Sequence, residues 1–209
     1  MINGKSWRLW AFVGGFALTV AMFLAARACS NFPGDEWILK ASQRFEADWL
    51  DALALGLDEM GEVPVLPAVL GGSILALFAA RRWVESLMIV ASLPFMVAGQ
   101  FLKVAVGRAR PDEMLVAAES AGFGFPSGHS VYATLFGGLM IFIAGGLIRN
   151  LWARRFVQGF VALWVVTTGA SRVYLGVHWP SDVVGGFMFG AISLTLIIAV
   201  WNTSNVKRW

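Results

Sequence analysis

Two histidines, His129 and His178, are the only ones in this chain of 209 residues, and each lies in a short polar segment between long apolar segments. A third polar segment precedes them and contains Lys103 and Arg110. Ionisable side chains are costly at the edge of hydrocarbon, and they are rare there unless they serve a function. These three segments therefore contain the candidate catalytic and binding residues.

The segment around His178 has the spacing of a nucleophile and its orienting carboxylate. Asp182 follows His178 by four residues, close enough to accept the proton of one imidazole nitrogen, which leaves the lone pair of the other nitrogen free to attack. Pro180 can occupy the first turn of the helix that begins here, and Arg172 can supply a phosphate contact. The alternative is a buried ion pair of Arg172 with Asp182 that only holds two helices together.

The segment Pro126-Ser127-Gly128-His129 opens another apolar run. A helix N-terminus presents unpaired N–H groups and partial positive charge, which suit an anion. Gly128 allows an oxyanion to approach the backbone closely, Ser127 adds a hydroxyl donor, and His129 can protonate a departing oxygen. The alternative is a helix N-cap beside a histidine that takes no part in chemistry.

Lys103 and Arg110 are seven residues apart, which is two helical turns. On a helix their side chains share one face, about 10 Å apart along the axis. Pro111 disfavours helical geometry at Arg110 and predicts the helix end there. Arginine offers a planar fork and lysine a point charge to a phosphate. The alternative is that both cations snorkel at a membrane edge.

Composition predicts an integral membrane protein. Hydrophobic residues make up 58% of the chain and charged residues only 14%, against about 25% charged residues in soluble domains. The length allows about six spans of roughly 20 residues. The net charge of +3 gives no indication of nucleic-acid binding, and the single Cys29 excludes an intrachain disulfide. The predicted spans are Trp7–Ala26, Val63–Ala80, Trp83–Ala105, Ser130–Ile148, Phe156–Tyr174 and Val183–Trp201.

The distribution of cations predicts the topology. Nine of the 16 lysines and arginines fall at one set of span ends, and an excess of such residues in short loops marks the cytoplasmic side. Both termini are therefore expected in the cytoplasm, with the three polar segments on the outer face. The nine are Lys5, Arg8, Arg81, Arg82, Arg149, Arg154, Arg155, Lys207 and Arg208.

The first span has a second interpretation as a cleaved signal peptide. Lys5 and Arg8 precede it, and Ala26-Arg27-Ala28 resembles a cleavage site. Its apolar stretch is long for a signal peptide, so we expect an uncleaved anchor.

The segment from Asp35 to Glu62 predicts an amphipathic helix between the first two spans, broken near Gly56. Its apolar residues recur at three, four or seven positions, which is typical of a helix. This helix is expected to lie on the outer membrane surface or to pack over the bundle, and both can be true. The apolar positions are Ile38, Phe45, Trp49, Leu53, Leu57 and Met60.

Taken together, the three segments resemble the complete signature of the type 2 phosphatidic acid phosphatase superfamily, which also contains bacterial non-specific acid phosphatases and vanadium haloperoxidases. The signature is carried by Lys103-x6-Arg110-Pro111, Pro126-Ser127-Gly128-His129 and Ser171-Arg172-x5-His178-x3-Asp182. With six spans, the resemblance indicates the membrane-bound bacterial lipid phosphatases. The expected fold is all-α, a polytopic bundle of six transmembrane helices that forms a single membrane phosphatase domain over residues 1–209.

The resemblance implies a role for each residue of the signature. His178 is the expected nucleophile and forms a phosphohistidine, Asp182 orients it, and His129 is the general acid and then the general base. No metal and no cofactor are expected, because the cations and a helix N-terminus supply the positioning and charge that phosphoryl transfer needs and the sequence indicates no cluster of metal ligands on the outer face. The residues expected to bind the phosphate are Lys103, Arg110, Ser127, Gly128 through its amide, and Arg172.

The expected substrate is a lipid phosphate or diphosphate in the outer leaflet of a bacterial cytoplasmic membrane. Undecaprenyl pyrophosphate, cleaved to undecaprenyl phosphate in cell wall biogenesis, is favoured over phosphatidylglycerol phosphate, phosphatidic acid and lipid A. No nucleic acid and no obligatory protein partner are expected. Two other classes stay open: a proton-coupled anion transporter using Arg172, His178 and Asp182, and a haem or metal protein with His129 and His178 as ligands.

Overall fold

The computed structural model describes residues 6–112 and 122–203, and throughout these ranges every regular element is an α-helix. The helices are α1 Ser6–Ala28, α2 Asp35–Gln43, α3 Asp48–Glu59, α4 Val65–Ala79, α5 Trp83–Val106, α6 Gly128–Leu147, α7 Leu151–Tyr174 and α8 Pro180–Thr203. The all-α expectation is confirmed.

Five of the helices, α1, α5, α6, α7 and α8, are long and apolar enough to cross a membrane. The remaining predicted span, Val63–Ala80, forms α4, which has 15 residues and is shorter than the other five. At about 1.5 Å per residue a helix of this length falls short of a hydrocarbon core of about 30 Å. Its end is set by Arg81, whose φ of 59° lies in the left-handed region. A count of six spans therefore stays a prediction.

Helix α6 lies at the centre of the bundle, packed against α5, α7 and α8. It is the most buried of the five candidate spans, whereas α1 is the least buried. The main core lies between α4, α5, α6 and α8, and its fully buried side chains include Ile89, Leu135 and Leu139. This core fixes the helix ends at which the polar segments lie.

The segment between α1 and α4 forms two helices, and the predicted break near Gly56 is wrong. Gly56 lies inside α3, and the chain instead breaks before Asp48, where Ala47 is extended. Asp48 and Asp51 then occupy the first turn of α3, where negative charge stabilises a helix. The hydroxyl of Tyr174 donates to Asp51, and α3 packs against α7.

The predicted apolar stripe of this segment is divided between two surfaces. Leu57 is buried against the bundle, whereas Phe45 and Trp49 are 75% and 70% exposed. The segment therefore packs over the bundle, which was one of the two interpretations. Contact of the exposed apolar side chains with a membrane surface stays a prediction.

The polar segments all lie at one end of the bundle, where α5 and α7 end and α6 and α8 begin. Pro180 is the first residue of α8, as predicted. The opposite helix ends carry Arg81, Arg82, Arg149, Arg154 and Arg155, and three further predicted cytoplasmic cations, Lys5, Lys207 and Arg208, lie outside the described residues.

The first turns of α6 and α8 lie against each other. The amide of Ser127 donates to the carbonyl oxygen of Asp182 over 3.0 Å. Gly186 has no room for a side chain, since a Cβ there would lie 2.7 Å from the backbone oxygen of Ser127 and 2.7 Å from Cβ of Ser130. The two helices therefore meet backbone to backbone beneath the polar segments.

Candidate active site

The three polar segments surround one cavity of about 410 Å³. Each segment contributes to its wall, so the signature residues that are far apart in sequence meet in space. The predicted site residues that line it are Lys103, Arg110, Gly128, His129, Arg172 and His178. The other two, Ser127 and Asp182, are fully buried behind the wall.

The contacts of His178 indicate which of its nitrogens carries the lone pair. Nη1 of Arg110 lies 3.3 Å from Nε2 of His178 and donates to the carbonyl of Val177 over 2.7 Å. A guanidinium has no acceptor, so this contact favours a lone pair on Nε2 and places the proton of a neutral imidazole on Nδ1. Nδ1 lies 3.4 Å from Oδ2 of Asp182, longer than an ordinary hydrogen bond. Catalytic hydrogen bonds often shorten only when substrate binds.

Burial and neighbouring cations keep His178 neutral. The residue is 2% exposed, and this burial lowers its pKa well below the ordinary 6.5, with Arg110 and Lys103 lowering it further. Burial also lowers the pKa of Arg110, whose guanidinium stays charged in proteins. A neutral imidazole beside a fixed cation is the form that can attack phosphorus.

His129 faces the same cavity with the opposite hydrogen-bonding role. Its Nε2 lies 2.9 Å from the carbonyl oxygen of Asp58, and because a carbonyl only accepts, Nε2 carries a proton. The backbone of Gly61 covers the ring so closely that a Cβ there would lie 2.1 Å from Nε2. One histidine of the cavity therefore presents a lone pair and the other an N–H.

Arg172 is paired with a residue that the sequence analysis did not single out. It donates to the carboxylate of Asp58 and, over 3.2 Å, to the carbonyl of Ala54. The alternative of an ion pair with Asp182 is wrong, because Asp182 is bonded by Arg108 instead, 2.6 Å away. Asp58 follows the buried Ala54 by four residues on α3, a spacing that places both on one helix face, but no local sequence pattern indicates Arg172 as its partner.

The cations of the first segment do not share one continuous helix, and that prediction is wrong. Helix α5 ends at Val106, and Gly107 takes a left-handed φ of 69°. Gly107 stops the helix before Pro111 can act on it. Lys103 and Arg110 still line the same cavity, because the side chain of Arg110 reaches Val177 and His178 from beyond the helix end.

The start of α6 faces the cavity through Gly128, whereas Ser127 serves as the helix cap. The hydroxyl of Ser127 is buried and accepts from the amide of Ser130 over 3.4 Å. A Cβ on Gly128 would lie 3.0 Å from Nε2 of Gln100. The unpaired amides of this helix start suit an anion. A phosphate contact by Ser127 stays a prediction.

A group with metal-ligand chemistry also lies in the wall of the cavity. Ligand atoms of Asp58, Glu62 and His129 lie within 4.8 Å of one another, although the sequence indicated no such cluster on this face. Asp58 is already paired with Arg172. Three cations line the cavity, and they favour an anion over a metal ion.

Comparison with known proteins identifies the family. The model of the PAP2 superfamily matches residues 82–205, more than half of the chain, and this range contains all eight predicted site residues. The chain therefore belongs to the PAP2 superfamily, and with its apolar helices it is a multi-pass membrane protein.

Two relatives and one solved structure show how far the likeness extends. A phosphatidylglycerophosphatase B of Bacillus subtilis is 31% identical over 187 residues, covering 87% of this chain and 89% of the relative. An undecaprenyl-diphosphatase of Sulfolobus acidocaldarius is 23% identical over 141 residues, covering 65% of this chain and 64% of the relative. The crystal structure of a transmembrane PAP2 type phosphatidylglycerolphosphate phosphatase from Bacillus subtilis superposes with a TM-score of 0.75 and 29% identity, covering 95% and 98% of the two chains.

Proposed function

We propose that this chain is a membrane phosphatase that hydrolyses a phosphate monoester or diphosphate of a lipid through a phosphohistidine at His178. The observation that carries the proposal is the single cavity in which the lone pair of His178, the N–H of His129 and three cations converge. Membership of the PAP2 superfamily and the names of the relatives support it.

In the first step Nε2 of His178 attacks phosphorus, and a nitrogen–phosphorus bond forms as the bond to the leaving oxygen breaks. Protonated His129 donates a proton to that oxygen, so the lipid leaves as an alcohol or, from a diphosphate, as a monophosphate. The imidazole of His178 becomes positively charged, and the carboxylate of Asp182 beside Nδ1 stabilises it.

In the second step water attacks phosphorus and gives a proton to His129, which now acts as a base. The nitrogen–phosphorus bond breaks, its electron pair returns to Nε2 of His178, and inorganic phosphate leaves. Lys103, Arg110 and Arg172 stabilise the phosphoryl oxygens in both steps, with the amides at the start of α6. Phosphoryl transfer depends mainly on such positioning and charge stabilisation, so we propose that no metal is required.

The proposed substrate is undecaprenyl pyrophosphate. Phosphatidylglycerol phosphate is the second candidate, because the Bacillus subtilis relative that covers most of this chain is named a phosphatidylglycerophosphatase. Both carry a phosphate that can be delivered at headgroup depth while the apolar part stays in the bilayer. We expect the cavity to bind the phosphate group that both lipids carry.

The proposal also includes the number of membrane spans and the orientation of the chain in the membrane. Residues 1–209 form one domain with six spans in a bacterial cytoplasmic membrane, both termini in the cytoplasm and the cavity on the outer face. The five arginines at the helix ends opposite the cavity support this orientation. A cysteine placed beside Arg154 should react only with reagents that cross the membrane.

The experiment that tests the function is phosphate release from a panel of purified lipid phosphates in detergent with a chelator, with His178→Ala as the blank. We expect the intact chain to release phosphate and vanadate to block it, since vanadate resembles the pentacoordinate phosphoryl group. Comparable release by His178→Ala would overturn the nucleophile. Absence of release from every lipid, with anion uptake into proteoliposomes, would favour the transporter alternative.

A further inference from the structure

Arg108 lies between the two cations of the first segment, but it is buried behind the cavity wall and only 3% exposed. Its guanidinium binds four groups at once. Nη1 donates to Oδ1 of Asp182 over 2.6 Å and to Oγ of Ser181 over 2.7 Å. Nη2 donates to Oδ2 of Asp35 over 2.8 Å, and Nε donates to the carbonyl of Ser30 over 2.9 Å. All three nitrogens of the Arg108 guanidinium are thus hydrogen-bonded.

This arrangement determines how Asp182 faces His178. Arg108 takes Oδ1, and the amide of Trp179 donates to Oδ2 over 3.0 Å. With both oxygens held, Oδ2 lies 3.4 Å from Nδ1 of His178. The carboxylate cannot rotate without breaking a contact to a buried cation, which is costly because the partner charge is left unpaired.

Asp35, on α2, fixes the far side of Arg108. It is 3% exposed, and its two oxygens accept from the amide and the hydroxyl of Ser181 over 2.9 and 2.6 Å. The rings of Phe32 and Phe125 lie 5.1 and 6.0 Å from the guanidinium carbon. One cation and two carboxylates therefore form a buried network that connects α2 to the start of α8.

We propose that Arg108 is a positioning residue of the phosphatase reaction, acting through Asp182 to hold the proton of His178 on Nδ1 and its lone pair on Nε2. The inference rests on the proposed function. Arg108 does not line the cavity, so its loss should lower kcat and leave the binding of phosphate and vanadate nearly unchanged. A purely structural role predicts lower stability without a change in the histidine.

The test compares Arg108→Gln with Asp182→Asn and with the double variant. We expect Arg108→Gln to lower kcat by about 10²-fold, since loss of the correct tautomer costs up to about 10⁴-fold in related catalytic arrangements. KM and the vanadate inhibition constant should stay within about threefold. Because both residues act through one carboxylate, the double variant should be little slower than Asp182→Asn alone.

The second readout is the tautomer of His178, measured by nitrogen NMR with labelled histidine in the Arg108→Gln protein. We expect the signals to move from the form protonated on Nδ1 toward a mixture of both tautomers, because the 3.3 Å contact of Nε2 with Nη1 of Arg110 favours a lone pair on Nε2 without enforcing it. Arg82→Gln is the matched control, because it removes an arginine at the opposite end of the bundle that pairs with Glu85, and it should change neither readout.

Three outcomes would overturn the proposal: a raised KM with unchanged kcat, losses that multiply in the double variant, or an unchanged tautomer. If Arg108→Gln does not fold, Arg108→Lys keeps the charge and carries the same test with a smaller expected loss of kcat. Failure of the proposed function is distinguishable, because the intact chain would then release no phosphate from any lipid.

Discussion

The carboxylate of Asp58 accepts a hydrogen bond from Nη1 of Arg172, a cation that the sequence predicts to bind phosphate. The same carboxylate lies 3.5 Å from Nε2 of His129. An anion of the protein itself thus contacts two groups that the proposed mechanism offers to the substrate. A phosphate that binds Arg172 must compete with Asp58.

Replacing Asp58 should therefore strengthen anion binding. In Asp58→Asn we expect the inhibition constant of phosphate or vanadate to fall by about tenfold, because hydrogen bonds to charged groups contribute about 1.5–3 kcal/mol. Thermal stability should fall, since Arg172 loses its ion-pair partner. The measurement is inhibition of phosphate release at fixed substrate concentration.

Glu62→Gln is the control for the Asp58 variant, because it removes the same charge from the cavity wall without releasing Arg172. Its effect on inhibition should be smaller. Weaker inhibition in Asp58→Asn would instead mean that Asp58 holds Arg172 in place for the phosphate.

The role of His129 as general acid predicts a dependence on the leaving group. His129→Ala should lose about 10²–10⁴-fold in rate with a lipid phosphate, whose alkoxide needs a proton to leave. The loss should shrink with nitrophenyl phosphate, because nitrophenolate leaves without protonation. Equal losses with both substrates, measured as kcat/KM, would contradict the assignment.

The lowered pKa of His178 predicts that it stays neutral in mildly acidic solution. The chain has two histidines, so labelled histidine gives two sets of NMR signals, and His129→Ala assigns them. We expect the His178 signals to show no protonation as pH falls through 6.5. Arg110→Met should raise the pKa of His178 toward its ordinary value by removing a nearby cation, and a midpoint that does not move would contradict this cause.

The same shift has a consequence for stability. Below pH 6.5 the unfolded chain binds a proton at this histidine that the folded chain does not bind, so the free energy of unfolding falls as the pH falls.

The close approach of Gly61 to His129 predicts that a methyl group there interferes with chemistry. In Gly61→Ala the new Cβ would lie 2.1 Å from Nε2, so the ring must move away from the cavity and activity should fall by at least about tenfold. Gly56→Ala is the matched control, because its Cβ meets nothing within 4 Å. It should keep activity and stabilise α3 by about 0.5–1 kcal/mol. Full activity of Gly61→Ala would show that the ring position is not critical.

The apolar runs predicted the long helices well, since hydrocarbon requires continuous apolar segments. The predicted span Trp83–Ala105 nearly coincides with α5 Trp83–Val106. Helix α7, however, begins at Leu151 rather than at Phe156, and its first turns include Arg154 and Arg155. Hydropathy marks the part of a helix that lies in hydrocarbon, and a helix can continue beyond it.

The site was predictable where its chemistry is local in sequence. His178 and Asp182 are four residues apart, and they lie close together because His178 lies just before α8 and Asp182 is in its first turn. The partners of the cations were not predictable, because Arg172 and Asp58 are 114 residues apart and Arg108 and Asp182 are 74 apart. Such pairs depend on how α3 packs against α7 and on how the segment after α5 packs against the start of α8, which no local pattern encodes.

The backbone contact between α6 and α8 determines which side of the cavity can move. With the amide of Ser127 bonded to the Asp182 carbonyl and no space at Gly186, neither helix can slide along the other. If admission of a headgroup requires the cavity to widen, we expect the opposite wall, between Asp58 and Leu66, to be the part that moves. Tethering α3 to α7 should therefore slow turnover of bulky lipids far more than that of a small soluble phosphate ester.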